Sequence, residues 1–191
     1  MNSNNDNRSQ LIMLLPRARF GELNDVVIPG DVLMRSYRPG DERSFYELMK
    51  LADFGEWGDE RLARWISRIP PKCWFMILSP NDEIVATAMG LHNHTHYQPF
   101  GGELGWVAVR PDFRRKGLGK AVSLAVIQRL ISAGYENIHL YTEDYRTAAL
   151  RLYLSLGFEP YLYDPGMSDR WRQVCAAVDR PFTPKQWRTD T

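Results

Sequence analysis

The chain is poor in the features that mark several protein classes. It has only two cysteines in 191 residues, Cys73 and Cys175, both in apolar surroundings and neither in a C-x-x-C pair. That excludes a disulfide scaffold and a paired-thiol redox motif, and it reads as two buried thiols in a reducing compartment, with a single long-range disulfide left open. No apolar run approaches the ~18 residues that cross a bilayer. Net charge is +1, with 24 basic against 23 acidic residues. No global basic excess invites nucleic acid, so any phosphate recognition must be local. There is no internal repeat and no low-complexity linker between residues 31 and 180.

What remains is ordinary for a folded domain: 44% hydrophobic and 25% charged residues. A chain of this length hides about 70% of its unfolded surface and can build a core unaided. Residues 1–30 read as an N-terminal arm, partly mobile, because Asn2–Gln10 offers nothing to a core. Its Leu11–Leu15 run is too short and too bare of small residues for a signal sequence, leaving it docked on the domain or mobile. Residues 31–180 form the domain, and 181–191 read as a tail. The expected location is cytoplasmic, without a membrane partner.

Hydrophobic spacing places the elements. Val32–Tyr37 is a first strand. Phe45, Leu48, Met49 and Ala52 share one helical face behind Asp41, and Leu62, Trp65, Ile66 and Ile69 share another. Cys73–Leu78 and Glu83–Leu91 are the second and third strands, with turn chemistry between them. Glu103–Arg110 is the fourth strand and Gly117–Ala133 a helix. Ile138–Thr142, helix Thr147–Leu156, and strands Phe158–Tyr163 and Trp171–Val178 complete an α/β sheet of mixed direction.

The stretch from Val107 to Lys120 carries the chemistry. A strand runs into a loop with two glycines, and a helix follows at once. Gly117 and Gly119 allow close backbone approach. Free N–H groups at the helix start favour an anion. Arg114, Arg115, Lys116 and Lys120 add charge, with Arg110 nearby. The segment is neither a Walker loop, since Ala121 follows Lys120, nor a dinucleotide fingerprint.

Arg114-x-x-Gly117-x-Gly119, behind Trp106-Val-Ala-Val-Arg-Pro, resembles the acetyl-CoA signature of the GCN5-related N-acetyltransferases (GNAT). Ala149-Leu-Arg-Leu-Tyr153-Leu-Ser-Leu-Gly157-Phe158 resembles a second segment of that family. The resemblance spans about residues 32–178. It implies a mostly antiparallel sheet of about seven strands with flanking helices, in which the fourth and fifth strands are parallel and splayed. It also implies acetyl transfer from acetyl-CoA, as co-substrate and without a metal, to an amine. Backbone groups of Val107, Ala108 and Val109 would bind the pantetheine arm, with the Val107 N–H towards the thioester oxygen. Arg114, Arg115, Lys116, Gly117, Leu118, Gly119 and Lys120 would take the diphosphate. Glu103 matches the general base, and Tyr153 the thiolate-protonating tyrosine. Glu103 alternates with Gly105, Val107 and Val109, and shares their face unless a bulge intervenes.

Arg146 stands where many relatives carry asparagine, which puts that CoA contact in doubt. His92, His94 and His96 alternate, but a loop shaping the acceptor site is favoured over a metal. The acceptor side is expected from Asp41–Ile69 and the His92–Gly101 loop, with Thr142, Glu143 and Asp144 opposite. Glu56, Asp59 and Glu60 are candidates for attracting a cationic amine. The acceptor is a small molecule or peptide amine. A homodimer and a non-catalytic acyl-CoA-binding or sensing module on the same fold remain open.

Overall fold

The computed structural model describes residues 9–189. Eight strands form one sheet: β1 (Leu11–Leu15), β2 (Leu33–Ser36), β3 (Trp74–Leu78), β4 (Ile84–His92), β5 (Gly101–Val109), β6 (Asn137–Thr142), β7 (Glu159–Leu162) and β8 (Arg188–Thr189). Five helices accompany them: α1 (Glu42–Leu51), α2 (Asp59–Ile66), α3 (Leu118–Ser132), α4 (Thr147–Ser155) and α5 (Met167–Ala177). The strand order is β2-β3-β4-β5-β6-β1-β7-β8. Strands β2 to β5 are successive antiparallel neighbours, whereas β5 and β6 run parallel. A parallel step needs a crossover, and α3 supplies it.

The helices divide between the two faces. Leu118, Val122, Val126 and Leu130 of α3 pack with Leu150 of α4 and Trp171 of α5 against one face. Phe45, Leu48 and Met49 of α1 and Leu62 of α2 pack with Trp74, Met76 and Met89 against the other. No helix among the described residues is long and apolar enough to cross a membrane. Both cysteines are free and buried. Burial pushes the Cys73 thiol up to about 12.

Two segments depart from the sequence reading. Trp171–Val178, expected as the last strand, lies mostly within helix α5. The buried residues Met167, Trp171, Val174, Cys175 and Val178 recur at helical intervals, and Met167 extends the pattern upstream of the expected strand. The antiparallel neighbour of β7 is instead β1, the Leu11–Leu15 run, paired on its other side with β6. All five β1 residues are buried. Leu11, Met13 and Leu15 face α3 and α4, while Ile12 and Leu14 meet Tyr97 and Tyr161 on the reverse face. A strand covered on both sides reads as a continuous apolar run. The count is therefore eight strands against the expected seven or so, with Arg188–Thr189 adding a short parallel edge to β7.

An interior strand makes a definite demand on stability. Leu11→Ala should lower the unfolding free energy by ~2–5 kcal/mol in urea titration, as for any fully buried leucine. A loss below ~0.5 kcal/mol would show that the run merely rests on the domain.

Candidate active site

The β5–β6 pairing stops early. Only Gly101↔Asn137, Gly102↔Ile138 and Glu103↔His139 are matched, after which the two strands part. Both remain held on their far sides, β5 by β4 and β6 by β1. The result is a gap through the sheet, enlarged into a cavity of ≈ 470 Å³. Its walls include Glu103 to Val107 from β5, Tyr141 and Thr142 from β6, and Glu143, Arg146 and Tyr153 beyond them.

A bulge shapes the β5 wall. Thr87 pairs with Ala108 and Met89 with Gly105, so Ala88 alone opposes Trp106 and Val107. Trp106 takes a left-handed backbone, φ 52°. An extra residue reverses the alternation beyond it. Glu103 therefore does not share the face of Val107 and Val109, as unbroken alternation would require. Val107 and Val109 pack towards α3, whereas Trp106 and Ala108 pack on the α1–α2 side. Glu103 and Tyr153 thus reach the gap from opposite faces of the sheet.

Glu103 is 8% exposed. Asn93 donates to its Oε2 at 2.6 Å, and an Arg68 guanidinium nitrogen lies 3.5 Å from the same oxygen. Burial raises its proton affinity above the usual carboxylate range, and the Asn93 bond and the Arg68 charge only partly offset that. Tyr153 sits on the buried stripe of α4 and lines the cavity, and burial holds its phenol firmly protonated. At the other end, Gly117 caps α3 with a left-handed backbone, φ 81°, which a side chain would strain. Arg114, Arg115, Lys116 and Lys120 are exposed around that helix start, and Lys116 rests over the Phe113 ring at 4.5 Å. A Cβ on Gly119 would touch Val109 at 3.4 Å and Leu152 at 3.5 Å, so the helix start lies against the end of β5.

A family model described as "Acetyltransferase (GNAT) family" matches residues 42–158, more than half of the chain. The chain belongs to the GNAT acetyltransferase family. Mycothiol acetyltransferase of Thermobispora bispora is 34% identical over 154 residues, covering 72% of this chain and 50% of the relative. That of Renibacterium salmoninarum is 32% identical, covering 69% and 41%. The chain thus spans about half the length of the curated relatives it matches. Among solved structures, a GCN5-related N-acetyltransferase from Sphaerobacter thermophilus superposes with a TM-score of 0.61 at 25% identity, covering 79% of this chain and 48% of that one. The ribosomal-protein-S18-alanine N-acetyltransferase of Escherichia coli gives 0.55 at 26% identity, covering 67% and 77%.

Within this GNAT domain the remaining sequence candidates sort clearly. Arg110 is engaged by Glu83 at 2.7 Å and Asp112 at 2.8 Å, so its charge is committed away from the glycine loop. Arg146 pairs with Glu143 at 2.6 Å and lies over the Phe54 ring at 4.6 Å. His92 meets the Tyr135 hydroxyl at 3.0 Å, tying the end of β4 to the segment after α3, and the Phe100 N–H donates to His94, which pins its own loop. Glu56 pairs with Lys50, and Asp59 accepts from Tyr46. Neither these two nor Glu60 lines the GNAT cavity, and Asp144 instead binds Arg170. Trp65 and Trp106 do line it, with Phe54.

Sequence reasoning missed Arg68, Asn93, His139 and Tyr141. Asn93 is hidden among the alternating histidines, and His139 is a titratable residue set between the apolar Ile138 and Leu140, which is the one available signal. A carboxyl ¹³C titration should place the Glu103 midpoint above 4.5, the ordinary glutamate value. A midpoint at or below it would mean that Arg68 and Asn93 outweigh desolvation.

Proposed function

We propose that the protein is an acetyl-CoA-dependent N-acetyltransferase that passes acetyl directly to a primary amine. The observation that carries this reading is the open backbone edge of β5 beyond Glu103, facing a cavity. One end of that edge meets the basic start of α3, and the other meets Glu103. An extended pantetheine arm can pair with Val107, Ala108 and Val109 as an added strand. The exposed loop Arg114–Lys120 supplies charge and helix N–H groups for the diphosphate. The Val107 N–H is the donor for charge developing on the thioester oxygen.

Glu103 takes the proton that the amine nitrogen must lose as its bond to the acetyl carbon forms. The carbon–sulfur bond breaks, and Tyr153 gives its proton to the departing sulfur. Desolvation favours both roles: it makes Glu103 a stronger base than an exposed carboxylate and keeps Tyr153 protonated. Neither Cys73 nor Cys175 lines the cavity, which fits direct transfer rather than an acyl-cysteine.

The acceptor wall consists of Phe54, Trp65 and Trp106, with Arg68 and Arg146 between aromatic faces. Its two carboxylates are each matched by an arginine, Glu103 by Arg68 and Glu143 by Arg146. No surplus negative charge awaits a polycation. The acceptor is therefore a single amine on a flat or apolar body, a small molecule or a peptide. Relatives named mycothiol acetyltransferase make a mycothiol-related amine the first to try. We place the reaction in the cytoplasm, which two free buried thiols support.

Calorimetry should show acetyl-CoA binding in the roughly micromolar range. Arg114→Ala with Gly117→Asp should abolish it, because the aspartate puts negative charge at the helix start. No heat with folded wild type overturns the reading. Binding without thiol release across an amine panel would reduce the protein to a binding module. Tyr153→Phe should keep binding and lower turnover by about tenfold or more. Glu103→Gln should remove the acidic limb of the pH–rate profile. That limb should sit above the ordinary carboxylate range, since activity falls as pH drops through a raised pKa.

A further inference from the structure

The two oxygens of Glu103 have different surroundings. Oε2 is occupied by Asn93 at 2.6 Å and approached by Arg68 at 3.5 Å. Oε1 lies over Gly105, where an added Cβ would stand 3.2 Å from it. Gly105 lines the cavity. Oε1 is therefore the oxygen presented to an incoming amine, or to a water before it, and only glycine at 105 leaves that approach clear.

Asn93 has a second N–H to place. Its Nδ2 lies 3.4 Å from Nε2 of His139, which is 0% exposed. Burial lowers the His139 pKa to about 4, so the ring is neutral at physiological pH. With Glu103 ionised, the Asn93 amide must turn its NH2 towards both neighbours, and His139 Nε2 must accept. The ring proton then sits on Nδ1. Nδ1 is buried and has no partner among the described residues. Such an orphan donor is costly to keep, and a hydrophobic residue in an apolar strand would avoid it. The orphan makes sense when Nε2 does something useful.

We propose that Asn93 is a positioning residue for Glu103, and that His139 acts through Asn93 as the neutral acceptor that keeps its amide correctly turned. This deepens the N-acetyltransferase reading and rests on it for its catalytic meaning. The groups facing Glu103 are Arg68 beyond α2, Asn93 and Tyr97 from the loop after β4, and His139 and Tyr141 from β6. Arg68 is the one formal cation among them. The Tyr97 and Tyr141 hydroxyls bond each other, and burial keeps both protonated. Among the described residues Asn93 supplies the neutral hydrogen bond to the Glu103 carboxylate, and losing it must raise the proton affinity of Glu103 further.

The test uses the full chain with Asn93→Ala, His139→Phe, His139→Gln and the Asn93→Ala/His139→Phe pair. Glu103 is titrated by carboxyl ¹³C signals, and kcat/KM is followed against pH with acetyl-CoA and a reactive amine. Asn93→Ala should move the Glu103 midpoint and the acidic limb up by about one pH unit or more. His139→Phe should move both the same way by less. His139→Gln, whose side-chain oxygen still accepts, should restore them, and it serves where the Phe variant does not fold. The double variant should move no further than Asn93→Ala alone, because the proposed action of His139 on Glu103 runs through the amide. An unmoved midpoint in Asn93→Ala, or additive shifts in the double variant, overturns the inference. Shifted midpoints without acetyl transfer by any variant or by wild type would sink the N-acetyltransferase reading and leave the positioning intact.

Discussion

Strands β5 and β6 separate after Glu103 and His139, and the candidate chemistry depends on that separation. Two parallel neighbours ordinarily stay paired, since unpaired backbone groups in a sheet interior are costly away from water. Here each strand is anchored on its outer side, β5 along β4 and β6 along the whole of β1. The bulge at Trp106 adds local twist where β5 turns away. The gap is thus imposed by well-packed flanks. Its open edge is a standing site for an extended ligand that can supply the missing strand bonds.

That explains why β1 matters to a site that lies beyond its own core contacts. Met13 matches Leu140 of β6 on one side and Pro160 of β7 on the other. Gln10, just before β1, donates to Glu143 at 2.8 Å and lines the cavity. Arg170 of α5 holds Ser9 and Asp144 together. The segment leading into β1 therefore ties the β6 lip of the gap to α5, while α1 and α2 support the β5 lip through Phe54, Trp65 and Trp106.

The legible parts of this architecture are those where backbone chemistry dictates residue type. A left-handed helix cap needs Gly117, and anion binding needs exposed charge beside free N–H groups, so the loop announces itself in sequence. The α4 stripe with Tyr153 is periodic and equally plain. Leu11–Leu15 is apolar enough to be a strand, but no local signal says that it enters the sheet between β6 and β7. Trp171 and Val174 carry a helical spacing that a shorter window disguises as a strand. The bulge defeats alternation because nothing in Gly105-Trp106-Val107 forbids an ordinary pleat. Asn93 and His139 come together only through the register of β6 against β5, across 46 residues.

One cause shifts Glu103 and His139 in opposite senses. Desolvation penalises charge, so it raises the carboxylic acid and lowers the imidazolium. Each group is pushed towards neutrality, yet the base role proposed for Glu103 needs it ionised. Arg68 makes that possible from 3.5 Å, on the side of the carboxylate away from Gly105. The residue between Glu103 and His139 must then be a donor without charge. A lysine there would tie up the carboxylate as a full ion pair and depress its basicity. An aspartate would face Oε2 with a like charge and hold Glu103 protonated. A neutral amide fixes the direction of Oε1 and changes its proton affinity less than either charge would, which is what the proposed positioning role of Asn93 requires.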